Sequence, residues 1–356
     1  MSDDTLPDPT QVDGTPHPRE AAALIGQAKA EATFLDAAAT GRLHSGWLLT
    51  GPQGIGKATL AYRIAAWLLA GAPASGMNLP EDDPDLRLVR AGSHPRLLVI
   101  KRGPNEKGDR LESVITVRAV RQLGSFFGLS AAGGGRRVVI VDAADDMNPN
   151  AANALLKLLE EPPPGAVLLL IAHQPARLLP TIRSRCRTLP LAPLGPDALA
   201  TILGSADGAA LSVLAQGSAG AAARVLAHDG VKLYSDLMGV MKTMPRFDRP
   251  RARALTTAVT ARGADGKLAL LVDLIDLFLS RAARAGILGA PLPEAAPDEA
   301  ALLHRLSPHN GAARLYADLQ QTLSAKVRQG LAVNLDPAML ILDTLLQIED
   351  ATKRIL

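Results

Sequence analysis

The 356-residue sequence predicts an α/β nucleotide-binding fold in its first half, followed by an all-α region. Up to about residue 190, short apolar runs alternate with helical segments, whereas only helical patterns follow from about residue 193. Runs that are apolar throughout are typical of parallel strands whose two faces are covered by helices. The aromatic content is only 3%, and the many alanines and leucines favour helices over a β-sandwich.

Five apolar runs are expected to form the strands of the sheet. They are residues 46–50, 97–101, 136–142, 166–172 and 186–190. Helical spacing follows the first run over 59–70. Another helix is expected to begin after Asn148, which can cap it, with Pro149 in its first turn and Pro162 as its stop. This alternation assigns residues 19–192 to one α/β module.

The rest of the chain is expected to be helical. The helical patterns cover residues 196–203, 208–218, 221–230, 271–286, 312–330 and 334–356. We divide them into a small region at 193–232 and a longer region at 233–356. Within the longer region, one helix carries an apolar stripe that should face a core. The stripe consists of Leu271, Leu274, Ile275, Phe278 and Leu279.

The N-terminal segment and the composition exclude several classes of protein. Residues 1–18 are rich in Pro, Asp and Thr, so we predict a disordered arm there, and it lacks the apolar region of a secretion signal. The longest apolar runs fall far short of the ~20 residues that cross a bilayer. The single cysteine, Cys186, excludes an internal disulfide and a multi-cysteine zinc site. We expect a soluble, cytoplasmic chain without membrane contact or zinc.

The segment GPQGIGK, residues 51–57, lies between a predicted strand and a predicted helix, which is the context of a phosphate-binding loop. Its glycines let backbone N–H groups point at phosphate oxygens, and they are Gly51, Gly54 and Gly56. Lys57 would offset the charge of the phosphates. The hydroxyl that should follow and ligate Mg²⁺ is replaced by Ala58, and Thr59 lies about 100° further round the helix. Binding of ATP or ADP stays open, but no cofactor is required.

The strand that ends in Asp142 resembles one whose aspartate holds Mg²⁺ directly or through water. In hydrolysing proteins the next residue is a carboxylate that orients water, and here it is Ala143. Asp145 and Asp146 come later and are expected to serve the turn and the entrance of the next helix. Because the hydroxyl and the water-orienting carboxylate are both absent, we predict no competent ATPase.

A third motif, LLPTIRSRC at 178–186, precedes the last predicted strand. Together with GPQGIGKATLA at 51–61 and VVIVDAADDMNPNAANALLKLLEEPP at 138–163, it resembles the delta-prime family of bacterial DNA polymerase III clamp-loader subunits, which are AAA+ proteins. The resemblance extends from HPRE at 17–20 to NLDPAMLILDTLL at 334–346. The most specific part is ALLKLLEEPP followed by TIRSRC.

The resemblance implies an AAA+ module with a helical lid at 193–232 and a helical collar at 233–356 that packs in a pentameric ring. The implied partners are the gamma/tau motor subunits, the delta subunit, the sliding clamp and primer–template DNA, within the DNA polymerase III holoenzyme. The resemblance also implies that Arg185 is an arginine finger that reaches the ATP site of a neighbouring motor subunit, since a guanidinium stays charged there. Without the resemblance, Arg185 would be a surface arginine at a strand start.

The hypothesis that follows is a non-hydrolysing structural subunit that helps to load the sliding clamp onto primed DNA and supplies Arg185 in trans. It has no ATPase or polymerase activity of its own. The alternative is an ATP-hydrolysing clamp-loader motor, which should carry a hydroxyl and a carboxylate at positions 58 and 143; both are alanine. A stand-alone P-loop kinase or nucleotide switch would leave residues 178–186 and the helical collar unexplained.

The chain departs from the family pattern in several places. The stretch 71–98, where many clamp-loader subunits carry a four-cysteine zinc module, contains no cysteine. The sensor position after the fourth strand falls at Ala172 and His173 rather than Thr or Asn. The position of the lid's sensor arginine falls at Gly220, with Arg224 one turn later. Each departure indicates a degenerate nucleotide site.

A basic stretch is the only sequence feature that indicates DNA contact. It has acidic residues interspersed and no aromatic interleaving, so a base-stacking surface is not indicated. Contact with phosphates and a plain solvated surface are equal alternatives. The basic residues are Arg87, Arg90, Arg96, Lys101, Arg102, Lys107 and Arg110.

Overall fold

The computed structural model describes residues 6, 8–11, 15–41, 43–128, 135–261, 263–264 and 266–355. The chain divides into two compact units, Met1–Leu194 and Gly195–Leu356. The first unit contains the sheet, and the second contains helices. This confirms the predicted fold class, an α/β P-loop module followed by an all-α region. The finer division of the helical part at residues 232 and 233 stays a prediction.

The five strands of the first unit form one parallel sheet in the order β2-β3-β4-β1-β5. They are β1 Gly46–Thr50, β2 Leu97–Lys101, β3 Arg137–Asp142, β4 Ala166–Ala172 and β5 Arg187–Pro190. Each lies within one residue of its predicted start. The register pairs Trp47 of β1 with Arg187 and Thr50 with Pro190, so β1 and β5 run side by side from the same edge. All parallel strands therefore end at one edge, where the glycine loop follows β1.

Helices cover both faces of this sheet. They are α1 Ala28–Ala39, α2 Lys57–Leu69, α3 Pro84–Ala91, α4 Val117–Gly128, α5 Pro149–Glu160 and α6 Pro180–Ser184. On one face Phe34, Trp47 and Trp67 belong to a buried cluster with α1 and α2. On the other face, Leu155 and Ile182 anchor α5 and α6 in a second cluster. This double covering explains why the strands are apolar throughout rather than alternating.

Two helix starts bear directly on the site. Helix α5 begins as expected: the Asn148 side chain accepts a hydrogen bond from the Ala151 N–H at 2.9 Å, and Pro149 occupies the first turn. Helix α2 begins at Lys57, two residues before the expected start at Thr59. The residue before it, Gly56, has φ 101°. The glycine loop therefore runs straight into the first turn of α2.

The second unit consists of nine helices among the residues that the structure describes. They are α7 Pro196–Leu203, α8 Gly208–Leu214, α9 Ala219–Ala227, α10 Gly230–Met241, α11 Arg249–Thr260, α12 Lys267–Leu288, α13 Glu299–Leu306, α14 Asn310–Ala332 and α15 Pro337–Ile355. The predicted apolar stripe of α12 is buried. No single described helix is long and apolar enough to span a membrane; only α7 and α8 together, bent by 105°, have the length and composition.

At two positions the N-terminal segment differs from the predicted disordered arm. Asp8 forms an ion pair with Lys101 at the end of β2, and its carboxylate lies 3.4 Å from Nε2 of His17. His17 is buried and packs edge-on against the ring of Tyr62, with 5.6 Å between ring centroids. These polar and aromatic contacts hold this part of the arm against the first unit. Residues 1–5, 7 and 12–14 of the predicted arm lie outside the described residues.

Candidate nucleotide site and Arg185

The glycine loop has a backbone that only glycine adopts easily. Gly51 has φ 140°, and a Cβ there would lie 2.6 Å from Ile55 Cδ1 and 2.8 Å from the Leu191 carbonyl oxygen. Neither the conformation nor the space admits a side chain. Gly54 also has a positive φ, of 77°. The loop thus has the tight turn into a helix that a phosphate-binding loop requires.

Lys57 does not extend into the cleft beside the loop. Its side chain is buried, and Nζ donates hydrogen bonds to the carbonyl oxygen of Gly51 at 2.6 Å and to that of Pro52. Burial lowers the pKa of Lys57 to about 8, although the charges of Asp142 and Asp145 act in the opposite direction. A phosphate would have to draw the ammonium away from these two carbonyls.

Gln27 forms side-chain hydrogen bonds to the glycine loop and to the residue after Leu191, and the sequence did not predict this role. This buried amide donates to the carbonyl oxygens of Ile55 at 3.0 Å and Ala192 at 2.7 Å. It also accepts a hydrogen bond from the Ala192 N–H at 3.3 Å. The partners lie 28 and 165 residues away along the chain. A lone glutamine before α1 gives no signal of such contacts in the sequence.

The end of β3 lacks the features of an efficient metal and water site. Burial raises the pKa of Asp142 to about 7, and the opposing charge of Lys57 does not cancel this effect. The next residue, Ala143, is a buried methyl group. Within the described part of the chain, no three His, Cys, Asp or Glu side chains come together as metal ligands. Without a bound cation, Asp142 is therefore partly protonated near neutral pH.

The Asp145 carboxylate forms hydrogen bonds with backbone N–H groups. Its carboxylate accepts hydrogen bonds from the N–H of His173 at 3.0 Å and of Gln174 at 2.9 Å, just after β4. Asp145 and Asp146 lie in the turn Ala144–Asp146 before α5, as expected, while the side chain that caps this helix is Asn148. Asp146 instead lies 3.4 Å from Nε of Arg102. The two carboxylates thus fix the loops after β3 and β4.

His173, which the resemblance implies is at the sensor position, lines the cleft beside the glycine loop. Its Nδ1 is buried and has no hydrogen-bond partner in the described residues. Burial lowers the pKa of His173 to about 4, helped by the charge of Lys57 and opposed by Asp145. The ring is therefore neutral at physiological pH. The cleft has a volume of about 640 Å³ and is lined by Thr50, Gly51, Pro52, Gln53, His173, Gln174, Pro175, Pro190 and Leu191.

Arg185 lies directly after α6, at the surface of the first unit. Its Nη2 is 2.8 Å from Oε1 of Glu160, and its Nη1 donates to the Thr181 carbonyl oxygen at 3.2 Å. The side chain is 37% exposed. The neighbouring Cys186 is buried, and burial raises the pKa of its thiol to about 12, so it packs as a neutral side chain.

The structure separates Arg185 from the glycine loop. Arg185 precedes β5, whose residue Arg187 pairs with Trp47 near the start of β1, whereas the loop follows Thr50 at the other end of β1. At about 3.3 Å per residue, the strand alone puts roughly 10 Å between the two edges, and the loop extends further. Gly51, Gly54, Gly56, Lys57 and Asp142 gather at one edge, and Arg185 stands at the other. Whether Thr59 takes part stays a prediction.

The basic stretch is largely neutralised within the first unit. Four of its seven residues form ion pairs with carboxylates: Arg90 with Glu81, Arg96 with Asp85, Lys101 with Asp8, and Arg102 with Asp146. Contact with DNA stays a prediction. In the second unit, Arg224 likewise pairs with Asp273 of α12.

Comparison with known proteins finds relatives of the first unit. Residues 26–195 match the family model described as DNA polymerase III, delta subunit. DNA polymerase III subunit delta' of Pseudomonas aeruginosa is 44% identical over 140 residues, an alignment that covers 39% of this chain and 40% of that protein. The chain thus spans less than half of the curated relative that it matches.

Two solved structures align with more of the chain at lower identity. A DNA polymerase III gamma subunit-related protein of Thermotoga maritima is 18% identical, with a TM-score of 0.41, over 90% of this chain and 99% of that one. The RuvB Holliday junction branch migration motor of the same organism is 16% identical, with a TM-score of 0.40, over 84% of this chain and 91% of that one.

The matched residues 26–195 contain all three motifs on which the predicted resemblance rests: the glycine loop, the strand ending in Asp142 and the segment around Arg185. The family model and the Pseudomonas relative agree with each other and with those motifs. Residues 26–195 are therefore similar to the delta-prime subunits of DNA polymerase III clamp loaders.

Proposed function

We propose that the chain is a non-hydrolysing structural subunit of the clamp loader that supplies Arg185 in trans to the ATP site of a neighbouring subunit. The observation that carries this proposal is the separation of Arg185 from the glycine loop across the sheet. An arginine at the opposite edge cannot reach a nucleotide in its own loop. A partly exposed guanidinium can reach a nucleotide that an adjacent subunit presents.

The contacts at the loop support the non-hydrolysing part of the proposal. Lys57 is bonded to the carbonyl oxygens of its own loop, no hydroxyl stands at Ala58, and Ala143 replaces the carboxylate that would orient water. Each of these features lowers the rate of phosphoryl transfer, which depends on positioned charge and metal.

The alternative, an ATP-hydrolysing motor subunit, draws on one observation. The glycine loop keeps its backbone geometry, and a cleft opens beside it. That geometry could still receive ATP or ADP without hydrolysing it. The proposed function therefore requires neither a bound nucleotide nor zinc. ATP or ADP can bind the loop without being needed for that function.

The proposed partners follow from the family. The chain would contact the gamma/tau motor subunits and the delta subunit in the clamp-loader ring. With them it would act on the sliding clamp and on primer–template DNA, in the cytoplasm and without a membrane. The alignment with the Pseudomonas relative covers only 40% of that protein, so these partners are part of the proposal.

The test is ATP hydrolysis by the reconstituted clamp loader in the presence of clamp and primed DNA. Arg185→Ala should reduce hydrolysis at the neighbouring site by on the order of 10³-fold, the scale of other arginine fingers. Arg183→Ala is the matched control, because Arg183 is an exposed arginine of α6, two residues before Arg185. Equal rates for the two variants would contradict the proposal.

A further inference from the structure

We propose that Glu160 is a positioning residue for Arg185. It holds the guanidinium in one orientation at the surface, with donors left to meet an anionic oxygen of the neighbouring subunit's nucleotide. This inference rests on the proposed function and names a residue of this chain on which that function depends.

The contact geometry defines the orientation. One amino group of the guanidinium meets the Glu160 carboxylate, with 2.8 Å from Nη2 to Oε1, and the other donates to the Thr181 carbonyl oxygen. An arginine has five N–H donors, so these two contacts leave donors of the guanidinium for a further acceptor. The two side chains are 37% and 47% exposed. The group is thus fixed at two points and open to solvent elsewhere.

The location of Glu160 is otherwise unfavourable. It is the last residue of α5, where the helix end carries partial negative charge that disfavours a carboxylate. Glu161 follows it at the same end and, in the described part of the chain, forms no ion pair. The pairing with Arg185 offsets this repulsion for Glu160 alone. The ion pair with Arg185 therefore explains a glutamate at position 160 better than the stability of α5 does.

The backbones that carry the pair are packed against one glycine. A Cβ on Gly46, the first residue of β1, would lie 2.9 Å from Leu159 Cδ2. It would also lie 3.2 Å from both the Arg185 carbonyl oxygen and Cys186 Sγ. The last turn of α5 and the residues after α6 therefore close over this strand start. The ion pair spans two segments whose separation is set by buried contacts rather than by mobile loops.

A half-exposed ion pair suits a positioning role. An unrestrained arginine loses side-chain entropy when it binds, and a guanidinium already held in place loses less. The pair is too exposed to be strong, so Arg185 can share its charge with an incoming phosphate without the cost of breaking a buried bridge. The planar fork also lets one edge keep the carboxylate while another edge meets the phosphate.

The experiment measures ATP hydrolysis by the reconstituted clamp loader with clamp and primed DNA. Glu160→Ala should lower kcat on the order of tenfold with KM for ATP unchanged, since misplacement of a catalytic group affects the chemical step. Glu160→Gln keeps an acceptor oxygen and should retain more of the rate. Glu161→Ala is the matched control and should behave as wild type. Thermal unfolding and assembly of each variant show that it is folded and in the ring.

The double variant separates this inference from the proposed function. In the Arg185→Ala background, Glu160→Ala should cause no further loss, because the two residues act as a unit. Wild-type kcat for Glu160→Ala, alongside a loss for Arg185→Ala, would overturn the inference and leave the proposed function standing. An equal loss in both backgrounds would show a general structural effect and overturn it too. An Arg185→Ala variant with full activity would overturn both proposals.

Discussion

The two edges of the sheet present their charged groups in opposite ways. At the edge where the strands end, Lys57 bonds to its own loop, Asp145 bonds to backbone amides, and Asp142 is buried with a raised pKa. At the other edge, Arg185 is partly exposed, and its contacts with Glu160 and Thr181 leave N–H donors for a further acceptor. The comparison shows that the edge with the familiar motif has turned its polar groups inward, while the opposite edge keeps a charge available for another molecule.

A loss of stability from overpacking is expected at the edge of Arg185. Gly46→Ala places a methyl group 2.9 Å from Leu159 and 3.2 Å from the backbone of Arg185, and such overpacking costs about 1–3 kcal/mol. Urea unfolding measures the loss, and ATP hydrolysis by the clamp loader should fall with it. Gly124→Ala is the control, because a Cβ meets nothing within 4 Å there and helical alanine is preferred. If both variants were equally stable, the tight packing at Gly46 would be refuted.

A smaller effect is expected at the loop edge. Asp145→Ala leaves the N–H groups of His173 and Gln174 without their acceptor, which costs about 1–3 kcal/mol for groups that stay buried and less where water reaches them. Asp146→Ala removes a partly exposed ion pair with Arg102 and should cost about 1 kcal/mol or less. Urea unfolding of the two variants measures the difference. A larger loss for Asp146→Ala would contradict the structural role of Asp145.

A pH dependence of stability is expected from Lys57. Its pKa is about 8 in the folded chain and 10.5 when exposed, so the unfolded chain binds more protons between these values. Stability contributed by this residue therefore rises with pH from about 8 to about 10.5, and the penalty is fully present below pH 8. Lys57→Met lacks this slope. Unfolding free energies of the wild type and of Lys57→Met would be measured at pH 7.5, 9 and 10.5. We expect the free energy of the wild type to rise relative to that of Lys57→Met as the pH rises. A relative fall over this range would contradict a buried Lys57 ammonium.

Much of the first unit was predictable because its signals are local. The five strands are runs of apolar residues bounded by turns, and the cap of α5 is set by Asn148 and Pro149 within a few residues. The start of α2 was misplaced by two residues because the loop lysine is itself helical. Local patterns thus located the elements and the motif residues.

The contacts between distant residues were not predictable from one sequence. Asp145 finds its amide partners because β3 and β4 are neighbours in the sheet, which the order of strands along the chain does not reveal. The pairing of Glu160 with Arg185 depends in the same way on how α5 and α6 close over Gly46. The prediction of a disordered arm overlooked Asp8, whose partner Lys101 lies 93 residues away.

The most direct test of the difference between the two edges is a pair of substitutions in the same assembly. Single-turnover ATP hydrolysis would be measured for clamp loaders that carry Arg185→Ala or Lys57→Ala in this chain, with clamp and primed DNA present. We expect a loss on the order of 10³-fold at the neighbouring site for Arg185→Ala and a rate near wild type for Lys57→Ala. A loss for Lys57→Ala with Arg185→Ala unaffected would mean that the glycine loop is a working ATP site and that this chain is a motor.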